Sequence, residues 1–265
     1  MIKLRISKIL YGMFVVCSIG IFCAMGVSVN AETNITDETA VMSAKEQMEQ
    51  EENYIVRLVS QRTGERLTTY DWKKCLTYLR ENYISLMLEE GLSKDKIISY
   101  VSAYTFVEMD EEKPDEGVNF FVEPYAAYSP TDVTAYTDKY WNSHNPNYPN
   151  FDKDGFGGDC ANFVSQALRA GGKAMKGTVA SDFSNWFCRT NSTNALSKVS
   201  STWRGADAFG HYWVANAKAY KKFGKSYFTS KEKFTTVFDY GSVGDAISML
   251  NDNGRPYHTL IISYK

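Results

Sequence analysis

Gly157-Gly-Asp-Cys-Ala-Asn-Phe-Val-Ser-Gln-Ala-Leu-Arg-Ala-Gly-Gly172 is the most informative run in this sequence. Its leading glycines, with Gly155, predict a tight loop, and Asp159 stands where a helix N-cap belongs. Residues 161–170 carry Phe163, Val164, Ala167 and Leu168 at helical spacing, and Gly171-Gly172 stop the helix. Cys160 therefore falls at a helix N-terminus. There the unpaired N–H groups and the macrodipole favour negative charge. Both lower a thiol's pKa and promote the nucleophilic thiolate, and the same N–H groups can receive a developing oxyanion. A small buried cysteine at a helix start is the competing reading, because cysteines bury readily.

A thiol nucleophile needs a base, usually histidine, and the chain has three: His144, His211 and His258. His144 lies in a loop dense in Asn and Pro. His211 lies in the aromatic stretch Phe209-Gly-His-Tyr-Trp213 and reads as part of an aromatic cluster. His258 opens an apolar run that follows Gly244-Asp-Ala-Ile-Ser-Met-Leu250 and the turn signal Asn251-Asp-Asn-Gly254. That pattern predicts a strand–turn–strand hairpin holding the imidazole on a rigid element. The segment Asp152-Lys-Asp-Gly-Phe-Gly-Gly-Asp159 hints at a calcium loop. It lacks the third ligand and the distal Glu of that pattern, so no metal and no cofactor is expected.

Around this core the sequence divides into three parts. Residues 1–31 carry Lys3, Arg5 and Lys8, then an apolar run, then Val29-Asn30-Ala31, the layout of a cleaved secretory signal. An uncleaved membrane anchor is the alternative; either way the expected location is secreted or cell-surface, with membrane contact only through the export signal. Cleavage leaves 26 basic against 31 acidic residues and three cysteines, Cys75, Cys160 and Cys188. That balance excludes a strongly basic nucleic-acid binder, and an odd cysteine count flags an unpaired thiol. Residues 32–123 read as a helical and α+β extension of unassigned role. Its residues 32–50 read as a polar linker or frayed helix start, and helices are expected over residues 44–60 and 71–90. Cys75 is read as a core residue. Residues 104–109 and 118–123 are predicted as two strands. Residues 124–265 form the segment that carries chemistry, opening with a helix over 131–143 that carries Val133, Tyr136, Tyr140 and Trp141 on one face.

The string Ala135-Tyr-x-x-x-Tyr-Trp-Asn-x-x-Asn-Pro-x-Tyr-x-x-Phe151, followed by the Gly157–Gly172 run, resembles the "putative amidase domain" of exported proteins of Gram-positive bacteria. That family is similar to papain-like cysteine hydrolases, including the NlpC/P60 and CHAP families. Gly244-Asp-Ala-Ile and His258-x-x-Ile-Ile-Ser also fit, so the likeness covers about residues 128–265. It implies an α+β, papain-like fold with a Cys-bearing helix packed on an antiparallel sheet. It also implies hydrolysis of an amide bond in a peptide or peptidoglycan-like substrate, with Cys160 as nucleophile and His258 as base. The third, histidine-orienting residue of such enzymes stands on a later strand. This sequence ends at Lys265, so the expectation is a C-terminally truncated, degenerate or fragmentary copy without it. Asp159 and Asn162 are the candidates for an orienting or oxyanion role. Against that, Asp159 also fits as an N-cap, and Asn162 and Gln166 as an i, i+4 pair. The rival function is a catalytically inactive exported binding module gripping ligands through Trp186, Trp203 and Trp213, although core packing is the default for tryptophan.

Overall fold

The structure is a computed structural model that describes residues 35–111, 113–118, 128–152 and 158–265. The expected signal segment, residues 119–127 and most of the glycine loop lie outside these residues. Two apolar cores organise the rest. The first belongs to four helices: α1 (Ile35–Thr63), α2 (Trp72–Glu81), α3 (Tyr83–Leu88) and α4 (Lys94–Glu111). Ile55, Val59, Cys75, Leu76, Leu79, Ile97, Tyr100 and Tyr104 fill it, so Cys75 is a core residue as its helical stripe implied. Residues 35–50, expected as linker or frayed start, belong to α1.

Two readings of this region need correction. The helix predicted over residues 71–90 breaks at Asn82, whose side-chain amide donates to the Tyr78 carbonyl at 2.9 Å. That bond competes with the helical ladder, and the chain restarts as α3. Residues 104–109 are helical, not a strand. Ile97, Tyr100, Tyr104 and Val107 face the first core, while Phe106 faces His211 across the other side of α4. A helix buried on both faces loses its amphipathic stripe, and aromatic and β-branched residues then mimic a strand.

The second core carries the rest of the chain. It is built from α5 (Pro130–Tyr140), α6 (Cys160–Ala170), α7 (Ser201–Arg204), α8 (Ala206–Asn216) and the antiparallel hairpin β3 (Ala246–Leu250)–β4 (Pro256–Ile261). Helix α5 begins with Pro130 at its first turn and Ser129 as N-cap, whose hydroxyl accepts from the Asp132 N–H at 3.2 Å. It buries Val133 and Thr137 and leaves Trp141 38% exposed. Helix α6 ends in a Schellman turn: Gly172 sits at φ 102° and the Lys173 N–H donates to the Leu168 carbonyl at 3.0 Å. Gly171 lets α5 come close, since a Cβ there would meet Val133 Cγ2 at 2.5 Å. Trp186, Trp203, Phe209, Tyr212, Leu260 and Ile261 complete this core.

The two cores are joined by pairing as well as packing. Strand β1 (Glu116–Val118) pairs antiparallel with β2 (Ala219–Lys221), so a strand of the N-terminal region completes a ribbon of the C-terminal one. Between β2 and β3 lies α9 (Lys231–Tyr240), which buries none of its residues. The architecture is mixed helix and sheet, α+β, with α6 packed on β4 and α8 on the same strand. No described helix is long and apolar enough to cross a membrane.

Candidate active site

Helix α6 starts at Cys160, so the N–H groups of its first turn have no partner inside the helix. The opposite wall of the site is β4. In its pairing with β3, alternate residues turn their amides toward the partner strand. The Ile262 N–H continues this pattern by donating to the Asp245 carbonyl at 2.9 Å. Thr259 faces the other way, and its N–H points at the Cys160 sulfur, joined there by the N–H of Ala161. The nucleophile candidate is thus held against the residue that directly follows His258.

His258 lies buried on β4, and among the described residues neither its ring nitrogens nor the neighbouring Thr259 hydroxyl has a hydrogen-bond partner. Thiol and imidazole are therefore not hydrogen-bonded to each other. Burial sets the charge state of both. It pushes the Cys160 thiol up to about 11, with the Asp159 and Asp152 carboxylates adding to the rise, against the opposing pull of the two N–H groups. Burial alone pushes His258 down to about 4. The helix terminus was expected to lower the thiol pKa; desolvation outweighs it. At neutral pH the Cys160 thiol and the His258 imidazole are each neutral, not a preformed thiolate–imidazolium pair.

The buried histidine makes stability depend on acid. In the unfolded chain it takes up a proton near the ordinary value of about 6.5, whereas in the folded chain it stays neutral down to about 4. Between these values the unfolded state binds more protons, so stability falls as pH drops, by roughly 1 kcal/mol per pH unit. Urea unfolding at pH 7, 5.5 and 4.5 is expected to show this slope, and His258→Gln to flatten it. An equal slope in the variant would assign the loss to carboxylates instead.

Asp159 and Asn162 are spent elsewhere. Asp159 occupies the N-cap position of α6 without capping it. Its Oδ1 instead accepts from the Phe151 N–H at 2.9 Å and from Asn162 Nδ2 at 2.7 Å. Burial pushes its carboxyl up to about 7, opposed by those hydrogen bonds. Asn162 is fully buried; its Nδ2 also donates to the Pro149 carbonyl at 2.8 Å, and its Oδ1 accepts from Trp203 Nε1 at 2.7 Å. It does not pair with Gln166, which accepts from the Tyr136 hydroxyl. These side chains tie Phe151 and Pro149 to the head of α6, and neither is hydrogen-bonded to the imidazole.

The other candidates separate cleanly. His211 is far from the thiol in function: its Nδ1 lies 3.2 Å from Asp110 and its ring stacks on Phe106 at 4.4 Å. His144 is exposed and contacts the Tyr148 carbonyl through Nε2 at 2.8 Å. Trp186 and Trp203 are fully buried and Trp213 is 9% exposed, so these three rings form core and not a gripping surface. Asp152, from the calcium-like loop, accepts from the Asp159 N–H at 3.0 Å. Among the described residues no group of three or more His, Cys, Asp or Glu could hold a metal. The strand-edge amide of Thr259 is the site element the sequence did not announce. Its only signal was its place beside His258.

Fold and site together define an α+β protein with a cysteine at a helix head facing a histidine-bearing strand. Residues 127–265 match the family described as "Putative amidase domain", and the chain belongs to that family, whose description points to hydrolysis of amides. The chain is also similar to "Uncharacterized protein YhbB" of Bacillus subtilis (strain 168). The two are 31% identical over 118 residues, 44% of this chain and 32% of the relative. The matched stretch thus spans about a third of that relative's length. No solved structure matches the chain.

Proposed function

We propose that the protein is a secreted cysteine hydrolase that cleaves an amide bond in a peptide, with cell-wall peptides as the substrate class. The observation that carries this reading is the placement of the Cys160 sulfur beneath the Thr259 N–H, next to His258, at the head of α6. Membership of an amidase family supports the reaction class. The apolar leader with its Ala31 cleavage pattern supports export.

The chemistry follows from the neutral resting pair. Cys160 Sγ attacks the substrate carbonyl carbon while its proton passes to the His258 imidazole. The N–H groups at the head of α6 stabilise the oxyanion. The imidazolium then protonates the leaving amine, and the C–N bond breaks to leave a thioester. Water, deprotonated by His258, attacks the thioester; the acid leaves and the thiol regains its proton.

Purified protein lacking residues 1–31 and incubated with isolated peptidoglycan or a stem-peptide amide is expected to release free amine. Stoichiometric alkylation of Cys160 is expected to stop that release. Amine release that continues after complete alkylation of Cys160 would overturn the reading.

A further inference from the structure

The tip of the β3–β4 hairpin is plugged into the N-terminal helices. Arg255, only 6% exposed, brings Nη1 within 2.8 Å of Glu51 Oε1 and 3.8 Å of Glu52 Oε1, both on α1. Asn251 Nδ2 donates to Glu52 Oε1 at 3.0 Å. Asn253 Nδ2 donates to the Thr69 carbonyl at 2.9 Å and to the Tyr104 hydroxyl at 3.1 Å. The Tyr104 hydroxyl in turn donates to Glu52, and the Arg255 guanidinium lies over the Tyr104 ring. Within the turn, Asn251 Oδ1 accepts from the N–H groups of Asn253 and Arg255. Every residue of this network stands on the hairpin tip or on the helical layer that receives it.

A buried ion pair is a poor device for stability, because desolvation offsets most of its attraction; its best-attested use is to fix register. Register is at stake here. Met249 pairs with His258, but the next partners are Leu250 and Pro256, leaving Tyr257 as an extra residue on β4. That bulge lies directly between the clamped tip and His258, and a bulge re-aims the side chains beside it. From Arg255 to His258 the strand spans only about 10 Å, so a displaced tip displaces the imidazole.

We infer that Glu51, Glu52 and Arg255 are positioning residues through which the N-terminal helices clamp the hairpin tip and set where His258 stands relative to Cys160. The helices are then a working part of the active site. This inference rests on the hydrolase reading of Cys160 and His258.

The test compares Arg255→Met with Arg255→Lys in the full chain, with Arg62→Met, which breaks the exposed Arg62–Glu89 pair on the same layer, as control. Arg255→Met is expected to lower kcat at least tenfold with KM within twofold, Arg255→Lys to recover part of the loss, and the control to match the parent protein. In parallel, the His258 ring protons are titrated by NMR. A loosened hairpin admits water, so the His258 pKa is expected to rise by about one unit toward its ordinary value in Arg255→Met. A folded Arg255→Met with unchanged kcat and unchanged His258 titration overturns the clamp. If the parent protein hydrolyses no amide, the hydrolase reading fails by itself, and the titration alone decides the clamp. If Arg255→Met does not fold, Asn253→Ala, which removes only two hydrogen bonds, is read the same way: a His258 titration that moves supports the clamp, and one that stays overturns it.

Discussion

Cys160→Ala is expected to leave a folded protein with amide hydrolysis reduced by at least about a thousandfold. Loss of a nucleophile leaves only the contribution of binding and oxyanion stabilisation. The residue is partly exposed and small, so truncation of one sulfur should change stability by no more than about 1 kcal/mol. The matched controls are Cys75→Ala and Cys188→Ala. Both thiols are free, and burial pushes each up to about 11, as it does Cys160. The three cysteines thus share a protonation state and differ in surroundings. Only Cys160 heads a helix and faces the strand-edge amide beside a histidine. Steady-state rates for the three variants decide the matter: a Cys160→Ala protein within tenfold of the parent would remove the thiol from the mechanism.

Trp203→Ala is expected to cause the largest loss of stability. The ring is fully buried, packed against Trp186 at 4.6 Å and Tyr148 at 5.8 Å between centroids. Truncating such a side chain costs about 3–5 kcal/mol. It also strips the Trp203 Nε1 donor from Asn162 Oδ1, and an orphaned buried acceptor adds about 1–3 kcal/mol. Against a total of about 5–15 kcal/mol for a folded domain, this removes much of the margin. Urea denaturation should show a midpoint lowered severely or no cooperative transition. Trp203→Phe keeps most of the packing but not the donor, and should sit between the two. A near-native midpoint for Trp203→Ala would mean that this core repacks around the gap.

The parts of the architecture legible in the sequence were those with local punctuation. The α6 boundaries follow from its flanking glycines, and the β3–β4 hairpin from an Asn-rich turn between apolar runs. Tryptophan burial followed from ring size. The misreadings share one cause: a tertiary environment that no local window contains. Residues 104–109 look like a strand because α4 is covered on both sides. Helix α3 is separate because one asparagine bonds backward. At the candidate site, a motif and a turn single out Cys160 and His258 as candidates, but not their charge states. A helix terminus visible in sequence argues for a thiolate; the burial that reverses the argument exists only after β4 closes over the sulfur. The roles of Asp159 and Asn162 were equally hidden, since their partners Phe151, Pro149 and Trp203 come from three different segments.

The β1–β2 ribbon bears on how such a protein can be inherited. The family match starts at residue 127, yet β2 completes its pairing with Glu116–Val118, upstream of that point. Recombination at the edge of the match would leave one strand with a bare edge open to adhesion between molecules, and would strand a cation inside the second half without its acids. The piece that gene shuffling could move without exposing a strand edge or a buried cation is therefore longer than the piece that sequence similarity outlines.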